Sequence, residues 1–243
     1  MRKPRLETIS TTGTFHKMWR GHNRERVFAD DVDKRAYLND LARCLTEDLR
    51  RLLVWHAYCL MDNHTHENGQ LEPDAQGDLT EAIRALGDWM RNAHSRFGQQ
   101  YNRRHDRQGK VAYDRPKTTE VKDTIADRQR AIFYADVNPV RAGMVKHPSQ
   151  YRFSSYRFYA FGEADELTRH LTPPDWYVEL GQTPEVRQMW YRRLCDAYMR
   201  ELGLIDDAPL VEVSGAPGTG VTAGAYPETP SAAWGEIRAG PGN

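Results

Sequence analysis

The chain has 243 residues, with 34 basic and 34 acidic side chains and a formal net charge of zero. Hydrophobic residues make up 39% and charged residues 28%, the balance of a soluble globular protein with one substantial domain or two small ones. No run of about 18 apolar residues occurs, so no membrane span is expected. The basic opening "MRKPRLETIS" lacks an apolar segment and is not expected to act as a secretory signal. Three widely spaced cysteines, Cys44, Cys59 and Cys195, fit reduced thiols in a cytoplasm better than a disulfide framework.

In chain order, residues 12–19, "TGTFHKMW", read as a short strand, and "RGHNRER" after them as a loop. Residues 31–49 read as a helix, because Leu38, Leu41, Leu45 and Leu49 fall at helical spacing. The segment 51–61, "RLLVWHAYCLM", is continuously apolar and reads as a central strand. His56 within it reads as an ordinary strand histidine. Residues 79–101 carry the clearest helical stripe, from Leu79 through Ile83, Leu86, Met90 and Phe97 to Tyr101, with Asp78 as N-cap. A short strand at 111–114 is expected to end at Pro116. A helix from about Thr119 to Asn138 is expected to weaken before Pro139. The aromatic stretch 153–161 should pack on the domain, and "TPPDW" at 172–176 opens a helical unit reaching about Leu202. Beyond it the Gly, Ala, Pro and Thr-rich chain shows no period, and a disordered tail is expected over 206–243. A small antiparallel sheet covered by helices on one face, an α+β fold, accounts best for these elements.

Charge is unevenly spread. The stretch from Asp206 to Asn243 has five acids and one base, which leaves the first 205 residues with 33 bases against 29 acids. The bases cluster in "MRKPR", "RGHNRER" and "YNRRHDRQGK", each able to hold phosphates or to be simply a solvated face.

Two arrangements could carry chemistry. In "YCLMDNHTHENGQ", His64 and His66 are two apart, so on a strand they share a face and offer two imidazoles to a divalent metal. In "DRQRAIFYADVNPVRAG", Tyr134 and Asn138 are four apart and share a helix face. Arg130 lies one turn before Tyr134 and brings a positive charge to the same stripe. Asn138 offers a hard carbonyl oxygen of the kind Mg²⁺ accepts.

With these residues in view, "YCLMDNHTH" followed about 70 residues later by "YADVNPVRAGMVKHPSQYRFSSYRFY" resembles the REP-associated tyrosine transposases, a branch of the IS200-like, single-tyrosine HUH group. "GTFHKMWRGHNRERVFADDVDKRAYL" resembles that family's opening strand, arginine-containing loop and first helix, and "FGQQYNRRHDRQGKV" its long helix and basic turn. The likeness covers roughly residues 10–160, with a weaker echo to about 205.

The resemblance implies a ferredoxin-like or RRM-like palm over residues 1–160, a sheet of four to five antiparallel strands packed with helices, and a helical extension over 161–205. It implies that Tyr134 attacks single-stranded DNA beside a palindromic hairpin, leaving a 5′-phosphotyrosine link, and that His64, His66 and Asn138 hold Mg²⁺ or Mn²⁺. Arg20, Arg24, Arg26, Arg103, Arg104, Arg130 and Arg141 are the candidates for DNA contact. A monomer or homodimer in a bacterial cytoplasm, associated with the nucleoid, is expected. The alternative is a relative that binds hairpin or single-stranded DNA without cutting it. A metallohydrolase using metal-bound water finds no further motif to complete its site. The chain departs from the family at Asp62, where Pro is usual, at Thr65 between the histidines, in "ENGQLEPDAQ" after them and in "VAYDRPKTT". Glu67, Asn68 and Gly69 are poor central-strand residues, so the sheet is expected to be altered beside the site.

Overall fold

The computed structural model describes residues 9, 11–21, 25–112 and 115–206. By contact the chain divides into Met1–Asp207 and Ala208–Asn243. The second unit, and with it nearly all of the expected tail, lies outside the described residues, as does Arg24.

Four strands form one antiparallel sheet in the order β2-β3-β1-β4. They are β1 (Thr14–Arg20), β2 (Leu53–Leu60), β3 (His64–Leu71) and β4 (Lys117–Glu120). The α+β class and the antiparallel sheet are those expected. Helices, however, cover both faces of the sheet. Lys17 reaches Tyr37 of α1 (Asp31–Cys44) and His94 of α3 (Thr80–Arg104). Its neighbour His16 meets Tyr134 of α4 (Ile125–Arg141). Successive side chains of a strand point to opposite faces, so α1 and α3 lie on one side and α4 on the other.

β2 is an edge strand, not a central one. It reads as continuously apolar because both faces are covered and its outer edge is closed by later chain. Leu60 N–H donates to Phe153 O, Ser155 N–H to Tyr58 O, and Thr172 N–H to Trp55 O. His56 sits at a register shift between Trp55 and Ala57. The expected strand at 111–114 is replaced by a single bridge between Gly21 and Ala112, with 113 and 114 outside the described residues. The edge strand β4 starts just after Pro116, and the proline stands where no ladder donor is needed.

The expected helix over 31–49 breaks after Cys44, because Thr46 accepts Leu49 N–H and starts a separate turn, α2 (Glu47–Arg50). At α3 the cap is Leu79, but Asp78 still accepts the Thr80 N–H at 3.0 Å. α4 begins later than expected, at the Thr124 cap, and runs through Pro139. A proline in the last turn removes only one helical donor. Beyond it come α5 (Tyr156–Phe161), α6 (Asp175–Val178) and α7 (Pro184–Glu201).

Two apolar cores result. Phe28, Tyr37, Trp55, Trp89 and Phe97 belong to the one that joins α1 and α3 to the sheet. Phe133, Val137, Tyr156, Tyr159, Trp176 and Tyr191 belong to the one that joins α4 to α5, α6 and α7. The helical segment after 161 therefore shares its core with the helix that bears Tyr134. Among the described residues no helix is long and apolar enough to cross a membrane.

Candidate active site

On β3 the side chains alternate. Thr65, Glu67 and Gly69 turn toward α1 and α3, where Glu67 pairs with the buried Lys17 at 2.7 Å. His64, His66 and Asn68 turn toward α4. His64 and His66 stand side by side, with ring centroids 4.9 Å apart. β1 adds a third imidazole: its register sets His16 opposite Asn68. His16 Nε2 lies 3.0 Å from His66 Nδ1, and His16 Nδ1 lies 3.0 Å from Asn68 Oδ1. Over this layer α4 lowers Tyr134, whose ring meets those of His16 and His66 edge-on at centroid distances of 5.6 and 5.4 Å.

Burial sets the charge of the cluster. His16 and His64 are each pushed down to about 4, chiefly by desolvation, with Lys17 lowering His16 further and Arg20 lowering His64. His66 is held well below its ordinary value by burial and then by its two histidine neighbours. All three rings are therefore neutral at neutral pH, the state in which imidazole is a metal ligand or a hydrogen-bond relay.

The residues fit a divalent metal in part by themselves. His66 Nε2 is buried and has no hydrogen-bond partner. His64 Nδ1 lies 2.6 Å from Asn63 Oδ1, which leaves the His64 Nε2 position for other use. Among the described residues no three His, Cys, Asp or Glu side chains converge on a point, so a third protein donor has to be of another type. Asn138 lies half-buried on α4, one turn after Tyr134; its Nδ2 donates to Tyr134 O at 2.7 Å.

The arginines separate. Arg20 ends β1 opposite His64, beside the cluster and exposed. Arg141 lies over the Tyr134 ring, 5.1 Å from its centroid. Arg130, one turn before Tyr134, pairs with Glu201 and lies over Tyr198 of α7. Arg104 holds Asp30 at 2.5 Å and Asp33 at 2.6 Å, tying α3 to the start of α1. Arg26 pairs with Asp62 at 3.5 Å, and Arg103 is exposed near the end of α3.

Sequence reasoning missed His16 and Asn68. The alternation in "TFHKMW" places Thr14, His16 and Met18 on one face, but nothing local reveals that β1 lies beside β3.

Fold and cluster together define the class: an α+β protein whose four-stranded antiparallel sheet presents three neutral imidazoles beneath a helix-borne tyrosine. No family model matches the chain, and no curated protein does. Among solved structures it is similar to a REP-associated tyrosine transposase bound to a REP hairpin. The identity there is 20% and the TM-score 0.45, over 69% of this chain and 94% of that one. It is also similar to a Deinococcus radiodurans protein provisionally assigned as a transposase, at 21% identity and TM-score 0.31, over 51% of this chain and 88% of that one. Neither likeness transfers a residue role to this chain.

Proposed function

We propose that this protein is a metal-dependent, tyrosine-mediated transesterase of single-stranded DNA, of the transposase type, acting beside a palindromic hairpin. The observation that carries this reading is the placement of Tyr134 edge-on to His16 and His66, within a cluster where His66 Nε2 is buried and unpartnered. A tyrosine with a purely structural role on this helix would be expected among apolar neighbours. This one faces a polar, uncharged layer and has the Arg141 guanidinium over its ring.

In this reading the Tyr134 phenol loses its proton and its Oη attacks the scissile phosphorus. The P–O3′ bond breaks, the departing oxygen takes up a proton as a free 3′-OH, and a 5′-phosphotyrosine link forms. Attack of a 3′-OH on that link reverses the step and rejoins a strand without outside energy. His64, His66 and Asn138 would hold Mg²⁺ or Mn²⁺, with the Asn138 carbonyl as the hard oxygen donor that both ions accept. When bound, the metal would supply positive charge to the non-bridging oxygens of the phosphodiester. Arg141, over the Tyr134 ring, and Arg20, opposite His64, contribute further positive charge for the DNA backbone.

The test is incubation of the protein with Mn²⁺ and a labelled single-stranded hairpin with a flanking tail. A denaturation-resistant protein–DNA adduct is expected, and Tyr134→Phe should abolish it while binding persists. Strand cleavage that survives Tyr134→Phe would overturn the tyrosine mechanism. A gel shift with no adduct from the unaltered protein would make it a binding relative.

A further inference from the structure

We propose that His16 and Asn68 are positioning residues that fix the His66 ring in the tautomer whose Nε2 carries a lone pair. The inference rests on the reading of His66 as a metal ligand, and it assigns a task to two side chains that the mechanism leaves idle.

Asn68 ends this hydrogen-bond relay and sets its polarity. The side-chain oxygen of an asparagine can accept but never donate. Asn68 Oδ1 lies 3.0 Å from His16 Nδ1, so that nitrogen must carry the hydrogen. A neutral imidazole holds one hydrogen, so His16 Nε2 is then an acceptor. It lies 3.0 Å from His66 Nδ1, which must therefore be the donor. His66 Nε2 is left unprotonated, and it is the buried ring nitrogen without a partner. Asn68 Nδ2 is buried without a hydrogen-bond partner, so the oxygen is the end of this amide that is engaged.

His64 obtains the same orientation more cheaply. Its Nδ1 lies 2.6 Å from Asn63 Oδ1, an oxygen that also only accepts. The two rings thus present the same nitrogen by two separate devices, one local and one built across the β1–β3 pair. Ligand histidines commonly donate their second nitrogen to such a partner, and loss of the partner weakens metal binding about 10–100-fold.

The ring state is read directly in ¹⁵N-labelled, metal-free protein by long-range ¹H–¹⁵N correlation. In the unaltered chain His66 should show a protonated Nδ1 and a bare Nε2. Asn68→Asp keeps the accepting oxygen and should keep that pattern. Asn68→Leu and His16→Phe, with folding checked by thermal melting, should let the hydrogen move to Nε2. Mn²⁺ titration should show affinity lowered about 10–100-fold in those two and nearly retained in Asn68→Asp. A protonated Nε2 in the unaltered chain overturns the proposal even if no variant folds, as does unchanged Mn²⁺ affinity in both disruptive variants. If the unaltered chain binds no Mn²⁺, His66 is not a ligand, and the ring pattern still decides whether the relay exists.

Discussion

Residue by residue, β3 looks wrong for an inner strand, yet each odd side chain has a partner. Glu67 is fully buried and pairs with Lys17, also fully buried, at 2.7 Å. Tyr37 Oη donates to Glu67 Oε1 at 2.9 Å, and Thr65 Oγ1 donates to Oε2 at 3.1 Å. Removing one member strands a charge in a dry interior. Glu67→Leu or Lys17→Met should each cost about 3–5 kcal/mol, whereas the double variant should cost much less than their sum. Urea unfolding of the four proteins of the cycle checks this, and additive losses would refute the pairing. Gly69 answers to a different constraint. A Cβ there would sit 2.2 Å from Val54 O and 2.7 Å from the Phe15 ring. Gly69→Ala should therefore lose about 3 kcal/mol or more, because the nearest atom is backbone and cannot step aside. A melt within a degree or two of the unaltered protein would exclude that contact. The propensity of Glu, Asn and Gly misled because strand preference depends on neighbours. The neighbours here, Lys17, His16 and Phe15, lie about fifty residues away in sequence.

At the scale of elements, α4 carries Tyr134 because it is gripped from two sides. One side lies on the sheet; on the other, Phe133 meets Tyr191 edge-on at 5.3 Å. Tyr191 Oη donates to Asp136 Oδ2 at 2.5 Å, and Ser155 Oγ donates to Asp136 Oδ1 at 3.1 Å. α7 is thus the outer half of the clamp that fixes the height of Tyr134 over the histidines. Tyr191→Phe keeps the ring and removes one hydrogen bond to a buried carboxyl. The expected loss is about 1–3 kcal/mol, with faster amide exchange in α4 than in α3. Equal acceleration in both helices would argue against a local clamp. Periodicity made α3 and the existence of α4 legible, and a two-residue step placed His64 and His66 on one face. The start of α4 was not legible, since Thr119 and Glu120 pair with β1 instead of entering the helix. Nor was the edge position of β2, because the chain that seals it arrives about a hundred residues later.

For the molecule as a whole, the buried titratable groups give stability two opposed slopes with pH. His16 and His64 are pushed down to about 4, His66 lies well below its ordinary value and His56 is lowered, burial being the first cause for all four. In the unfolded chain they titrate near 6.5. Between about pH 4 and 6.5 the unfolded chain therefore holds protons that the folded one lacks, and stability rises with pH. Asp136 acts in the other direction. Burial pushes its carboxyl up to about 7, against the hydrogen bonds from Tyr191 and Ser155. Between about pH 4 and 7 the folded chain holds a proton that the unfolded one has released, so this group alone makes stability fall as pH rises. Four histidines outweigh one carboxyl on the acid side. Above about pH 6.5 the unfolded histidines lose their protons too, and Asp136 offsets much of the slope they still supply. The metal-free protein should gain stability steeply up to about pH 6.5 and change little from there to about pH 8. Asp136→Asn should steepen the rise between about pH 4 and 7, because the opposing slope is gone. Thermal melts in chelator from about pH 4.5 to 8 check both profiles. An Asp136→Asn profile parallel to the unaltered one would show that Asp136 is already ionised in the folded state.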